Sequence, residues 1–170
     1  NDVWVLSNAN GLGGTPTWTE LAPTGGPPSK REGSSVVYNS TNNRMIIFGG
    51  ENSLNFFNDV WVLSYATGLG ATPVWTQPLP TGGPPSGRFL LSAVYDTTNN
   101  RMMIFGGSDG SFGLNEVWML STANGLGGTP AWTQLSPTGS APTTRDAPTA
   151  VYDATNNRMT IFGGENGPPF

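Results

Sequence analysis

The chain has 170 residues, only 11% of them charged, with a net charge of −4. It contains no Cys and no His, which excludes disulfides, zinc–thiolate sites, thiol nucleophiles and imidazole acid–base chemistry. Basic residues are few and unclustered and no apolar run reaches membrane-spanning length, so neither nucleic acid nor a membrane is an expected partner.

Gly (24) and Pro (15) are abundant, and six Trp accompany them. Regular aromatic-rich apolar runs between these turn-formers point to an all-β chain of short strands, not to disorder. Starting at Asn1 without a leader pattern, the chain reads as a processed, excised or engineered piece. Its compartment stays open, with an extracellular bacterial one favoured.

The first predicted strand is Asn1 to Ser7, Asn-Asp-Val-Trp-Val-Leu-Ser, returning at Asn58 to Ser64 and, with Glu116 and Met119, at Asn115 to Ser121. Both alternating side-chain sets are apolar, so both faces should be covered. A polar Gly-rich loop ending at Pro16 leads to a second strand around Thr17 to Leu21, whose Thr/Trp alternation suggests a half-exposed edge. The stretch Pro23 to Ser29 can be neither helix nor inner strand, because proline lacks a donor and fixes φ. Arg31 closes that loop and recurs as Arg88 and Arg145.

A third strand is predicted near Ser34 to Tyr38, matching Leu91 to Tyr95 and Thr149 to Tyr152, with small residues suited to a crowded position near an axis. An Asn/Thr-rich turn delivers the fourth strand, Arg44 to Phe48, and then Gly49-Gly50. The run Asn42 to Gly50 returns as Asn99 to Gly107 and Asn156 to Gly164, a step of about 57 residues that marks an internal repeat. The repeats are 1–57, 58–114 and 115–170 of a single domain.

Four short strands, a Gly-Gly doublet after an apolar run, then Asp-Val-Trp and a second Trp: this pattern resembles the kelch repeat over the whole chain. The resemblance implies an all-β kelch-type β-propeller, with the Ser-Val-Val-Tyr strand innermost in each blade and the strands of Trp18, Trp75 and Trp132 outermost. It departs from the family pattern where Leu6, Leu63 and Leu120 replace a Tyr, and in its longer Gly-Leu-Gly insert, suggesting a bacterial-style variant. Counted from inner to outer strand, the chain holds two complete blades and two half-blades. Propellers close with about four to eight blades. The expectation is therefore a C2 homodimer in which two chains join head to tail into a six-bladed ring, the rival reading being that these residues are a slice of a longer natural array.

The resemblance also puts Arg31, Arg88 and Arg145 on one rim of the channel, where such arginines contact acidic peptides in animal kelch adaptors. With the variable neighbours Glu32, Phe89 and Asp146, they are the candidate ligand-binding residues for a protein or acidic peptide. The competing reading is that each Arg ties down its Pro-rich loop through carbonyls or through Glu32 and Asp146. Phe56, Phe57, Phe89 and Phe112 are candidate contact aromatics, or else pack between blades. The Trp residues read as blade packing rather than sugar binding. Asp2, Asp59 and Glu116 read as acceptors for loop backbone rather than as metal ligands, and Arg44, Arg101 and Arg158 as partners of local acids. Asn39-Ser40-Thr41 matches a glycosylation sequon.

No catalytic residue, metal site or cofactor is expected. Copper oxidases on kelch-like propellers use His and a Cys-linked cofactor, and a sialidase-like site needs a nucleophilic Tyr with a carboxylate partner, which is not visible. The chain therefore reads as a non-enzymatic scaffold or binding module. The alternatives are an engineered or duplicated assembly unit and a carbohydrate-binding or hydrolytic propeller.

Overall fold

The computed structural model describes residues 1–166. It contains fourteen strands and, among the described residues, no helix. Strands β1 (Val3–Ser7) and β2 (Thr17–Leu21) form a two-stranded sheet. Then come β3 (Ser35–Asn39) and β4 (Arg44–Phe48), a small hairpin of β5 (Glu51–Asn52) and β6 (Asn55–Phe56), and β7 (Val60–Ser64) and β8 (Val74–Thr76). The next repeat supplies β9 (Ser92–Asp96), β10 (Arg101–Phe105), β11 (Val117–Ser121) and β12 (Ala131–Leu135); β13 (Thr149–Asp153) and β14 (Arg158–Phe162) end the series.

Two antiparallel four-stranded sheets result, ordered β3-β4-β7-β8 and β9-β10-β11-β12. They are flanked by two-stranded sheets, β1-β2 beside the first and β13-β14 beside the second. The predicted strands agree within a residue or two. Strand β8 is shorter than β2 and β12 because Pro78 and Pro80 follow its Trp and remove ladder donors. The hairpin β5-β6 is an addition to the predicted strands; Asn52 makes it by accepting from the backbone N–H groups of Leu54 and Asn55. Of the loop expected at Glu165 to Phe170, the part beyond Asn166 lies outside the described residues.

The Gly-Gly doublets bend the chain where the fourth strand leaves the sheet. Gly49 and Gly50 have φ of 73° and 92°. A Cβ on Gly49 would sit 2.5 Å from the Arg88 carbonyl oxygen, and one on Gly50 2.8 Å from that of Glu32. Only glycine allows both that conformation and that approach.

Neighbouring sheets pack face to face and are laced at both ends. The inner strands β3 and β9 meet where the Ser35 hydroxyl donates to the Leu91 carbonyl and the Asn39 amide to the Tyr95 hydroxyl. Strands β9 and β13 repeat this with Ser92 to Pro148 and the Tyr152 hydroxyl to Asp96. At the outer edge Thr24 bridges to Val74 and Thr81 to Ala131. Between the two large sheets Ile46, Phe48, Val62, Met102, Ile104 and Leu120 form the core, with Phe48 meeting Trp132 edge-on at 4.9 Å.

Candidate functional site

The Pro-rich loop before each innermost strand has no ladder of its own, and its arginine holds it down. Arg31 donates from Nε to the Ser29 carbonyl at 3.2 Å and from Nη1 to the Gly49 carbonyl at 2.9 Å. Its two terminal nitrogens grip Asp59 at 2.6 and 2.9 Å, a two-point geometry that fixes guanidinium and carboxylate in one plane. The ring of Phe57 lies 4.1 Å from the guanidinium carbon. Arg88 repeats the arrangement, donating to the carbonyls of Ser86 and Gly106 and, at 2.7 Å, to Glu116.

The carboxylates are themselves held. Asp59 accepts from the Trp61 indole N–H at 2.7 Å, and Glu116 from Trp118 at 3.0 Å. Burial works against the charge on Asp59. Hydrogen bonds from Arg31 and Trp61 and the positive charge of Arg31 outweigh it and hold the carboxyl below the usual range. Glu116 is lowered in the same way: burial opposes, and Arg88 and Trp118 prevail.

This corrects the expectation that Arg31 and Arg88 form a ligand-binding ring at a channel mouth. The Arg31 side chain is only 6% exposed and that of Arg88 is not exposed at all. Their donors face acceptors of the same chain, so an acidic peptide would have to displace internal carboxylates from buried guanidiniums. The acids are not the sequence neighbours Glu32 and Asp146 either. They are Asp59 and Glu116, further along in the next repeat. A sequence signal for this existed: one Arg and one acid each recur once per repeat.

Arg145 differs. Its Nε donates to the Thr143 carbonyl and its Nη1 to the Gly163 carbonyl at 2.8 Å, as in the other repeats. Among the described residues no carboxylate meets it. The corresponding acid, Asp2, lies at the opposite end of the chain, bonded to the Trp4 indole at 2.6 Å and near the N-terminal ammonium.

Glu32, Phe89 and Asp146 share one backbone role. Each forms an antiparallel bridge to the residue after a Gly-Gly doublet, respectively Glu51, Ser108 and Glu165. Backbone pairing fixes the position and leaves the side chain free to vary. Glu32 projects into solvent, whereas the Phe89 ring stacks on Phe56 at 5.5 Å. Phe112 remains exposed. Arg44 donates to the Asn124 carbonyl at 2.9 Å across the sheet-to-sheet seam rather than to a local acid. Asp59 and Glu116 each accept from an arginine and an indole, and Asp2 from the Trp4 indole.

The Trp residues pack as expected only in the middle of the chain. Trp75 and Trp132 are each 3% exposed, whereas Trp18, at the same repeat position, is 63% exposed. The innermost valines Val37, Val94 and Val151 are 8%, 6% and 67% exposed, and Phe48, Phe105 and Phe162 are 0%, 2% and 79% exposed.

Comparison with known proteins agrees with this architecture. The family model described as the KLHDC2/KLHL20/DRC7 Kelch-repeats domain matches residues 1–167. The chain is 29% identical to a leucine-zipper-like transcriptional regulator 1 homolog of Drosophila melanogaster, over 89% of this chain and 15% of the relative. It is 28% identical to acyl-CoA-binding domain-containing protein 4 of Arabidopsis thaliana, over 90% of this chain and 21% of the relative. With Kelch domain-containing protein 2 of Bos taurus it shares 27% identity, over 86% of this chain and 38% of the relative. The chain thus spans well under half the length of each of these relatives. Four-stranded antiparallel sheets bent at Gly-Gly doublets and matched along 1–167 by one family model place this chain in the kelch-repeat family, whose domains fit a β-propeller architecture.

Proposed function

We propose that this chain is a non-enzymatic propeller scaffold that closes head to tail with a second copy and presents its rim loops to a protein or peptide partner. Kelch-repeat domains are in general protein-interaction modules, which supports the second half of this reading. Two four-stranded sheets and two half-sheets per chain make six blades when two chains meet. In that ring β14 of one copy takes β1 of the other in the register of the internal pairs, where Arg44 faces Ser64 and Phe48 faces Val60. Arg158 then faces Ser7 of the second copy, and Phe162 faces Val3.

The observation that carries the closure is the exposure of Val151, Phe162, Trp4 and Trp18 at positions buried or half-buried in the middle of the chain. Burying a valine or phenylalanine is worth about 1.5–3 kcal/mol each, and open strand edges invite pairing. Glu32, Phe89, Asp146 and Phe112 then lie on the rim as variable residues on a repeated frame, the usual place for recognition. Further repeats in a longer polypeptide would meet the same half-sheets, a second reading favoured by the small share of each relative that this chain spans.

Sedimentation of this 17.9 kDa chain over a range of concentrations tests the closure. A mass twice that of the chain, independent of dilution into the low micromolar range, is expected. A monomer at every concentration would sink the dimeric ring and leave the longer-polypeptide reading.

A further inference from the structure

We propose that the seam between two copies is registered by a split polar clamp, in which Arg145 of one copy takes the carboxylate of Asp2 of the other. The proposal rests on the closure described above and names the groups that select its partner.

The clamp occurs twice within the chain, with the same four parts each time. The arginine Nε donates to the carbonyl two residues before it, Ser29 or Ser86. Nη1 donates to the first glycine of the doublet, Gly49 or Gly106. The outer nitrogens take a carboxylate, Asp59 or Glu116. That carboxylate accepts from an indole two residues further on, Trp61 or Trp118.

At the chain ends the same clamp exists as two halves. Arg145 has its Nε bond to Thr143 at 3.1 Å and its Nη1 bond to Gly163 at 2.8 Å, so the guanidinium is already oriented. Asp2 has its indole, Trp4, at 2.6 Å, so the carboxylate is oriented too. Among the described residues Arg145 meets no carboxylate and Asp2 meets no arginine, its one ion-pair partner being the N-terminal ammonium at 3.5 Å. Both are pre-organised, which reduces the ordering cost of joining them. Opposite charge at the two ends also makes the contact heterologous, end to opposite end, and disfavours Arg145 against Arg145 or Asp2 against Asp2.

Two further contacts continue in the same register. Ser35 and Ser92 donate to the carbonyls of Leu91 and Pro148, so Thr149 reaches the Ser34 carbonyl of the second copy. Tyr95 meets Asn39 and Tyr152 meets Asp96, so Tyr38 of the second copy meets Asp153. The inner strand, the rim and the strand ladder therefore all ask for the same partner in the same register.

Charge exchange tests the clamp. Arg145→Asp and Asp2→Arg, each alone, place like charges at both seams of a two-fold ring and should weaken self-association at least about 100-fold. Mixed in equal amounts, the two variants place opposite charges at both seams and should form a heterodimer, seen by native mass spectrometry. Thermal unfolding of each variant alone checks that it is folded, with Arg145→Gln and Asp2→Asn as milder substitutions expected to weaken association about 10-fold. If wild type dimerises while both reversals dimerise equally well, or their mixture does not, the clamp is wrong and closure stands. If wild type never dimerises, closure itself is wrong.

Discussion

Val94 and Val151 hold the same place in successive repeats, yet one is sealed between sheets and the other faces solvent. Phe105 and Phe162 make the same contrast, as do Trp75 and Trp18. Local sequence and local backbone are nearly constant along the chain. What changes is whether a neighbouring blade stands on that face. A propeller blade is thus not a complete folding unit: it buries its second face only against the next copy of itself. The seam between the two large sheets buries these positions, and the two-stranded sheets β1-β2 and β13-β14 leave the equivalent ones exposed.

The largest expected contrast is at the core phenylalanines. Phe48→Ala should cost about 3–5 kcal/mol in chemical denaturation. Phe162→Ala should leave the unfolding of a separated chain almost unchanged and register instead as weaker self-association by sedimentation. Equal losses of stability at both positions would end the comparison.

The ion pair of buried Arg88 with the partly exposed Glu116 comes next. Glu116→Gln leaves the fully buried Arg88 guanidinium without its counter-charge and should cost about 2–4 kcal/mol, read by urea denaturation. Arg145→Gln should cost far less in the separated chain, because Arg145 meets no carboxylate among the described residues.

Acid should act through the same groups. Asp59 and Glu116 have folded pKa values below their ordinary ones. As pH falls below about 4, the unfolded chain takes up these protons first, so stability declines through the lowered folded values. Between about pH 5 and 8 these two groups should contribute a constant stabilisation. A fluorescence-monitored denaturation series across pH reads this, and replacing Glu116 with Gln should flatten part of the acid limb.

The smallest effect separates backbone conformation from crowding. Gly163 has φ of 70° and open space where a Cβ would stand, whereas Gly106, at φ 69°, would place its Cβ 2.7 Å from the Arg145 carbonyl oxygen. Gly163→Ala should cost about 1 kcal/mol in the separated chain, from the left-handed backbone alone, and Gly106→Ala clearly more. If two copies close as proposed, Gly163 would come against the Arg31 carbonyl of the second copy, and Gly163→Ala should then also weaken association.

Much of the fold is legible in the residues because a strand of five residues is a local object. Runs such as Arg-Met-Ile-Ile-Phe leave little choice but a buried strand, and the Gly-Gly that follows marks the bend. Repetition then supplies the architecture, since one repeat read correctly is the others read too. The hairpin β5-β6 escapes such a reading because two-residue strands carry no periodic pattern.

The arginines show where that legibility stops. Their recurrence is visible, as is that of Asp2, Asp59 and Glu116. That one set neutralises the other is a fact of packing across a repeat boundary, and an exposed ring and a buried clamp have the same sequence. From its residues alone this chain determined its strands, its bends and its repeat, because those follow from side-chain alternation and backbone sterics within a few neighbours. Only the tertiary structure decided which arginine is buried and which valine is bare, because burial depends on what stands opposite, and that is set by sheets far apart in sequence.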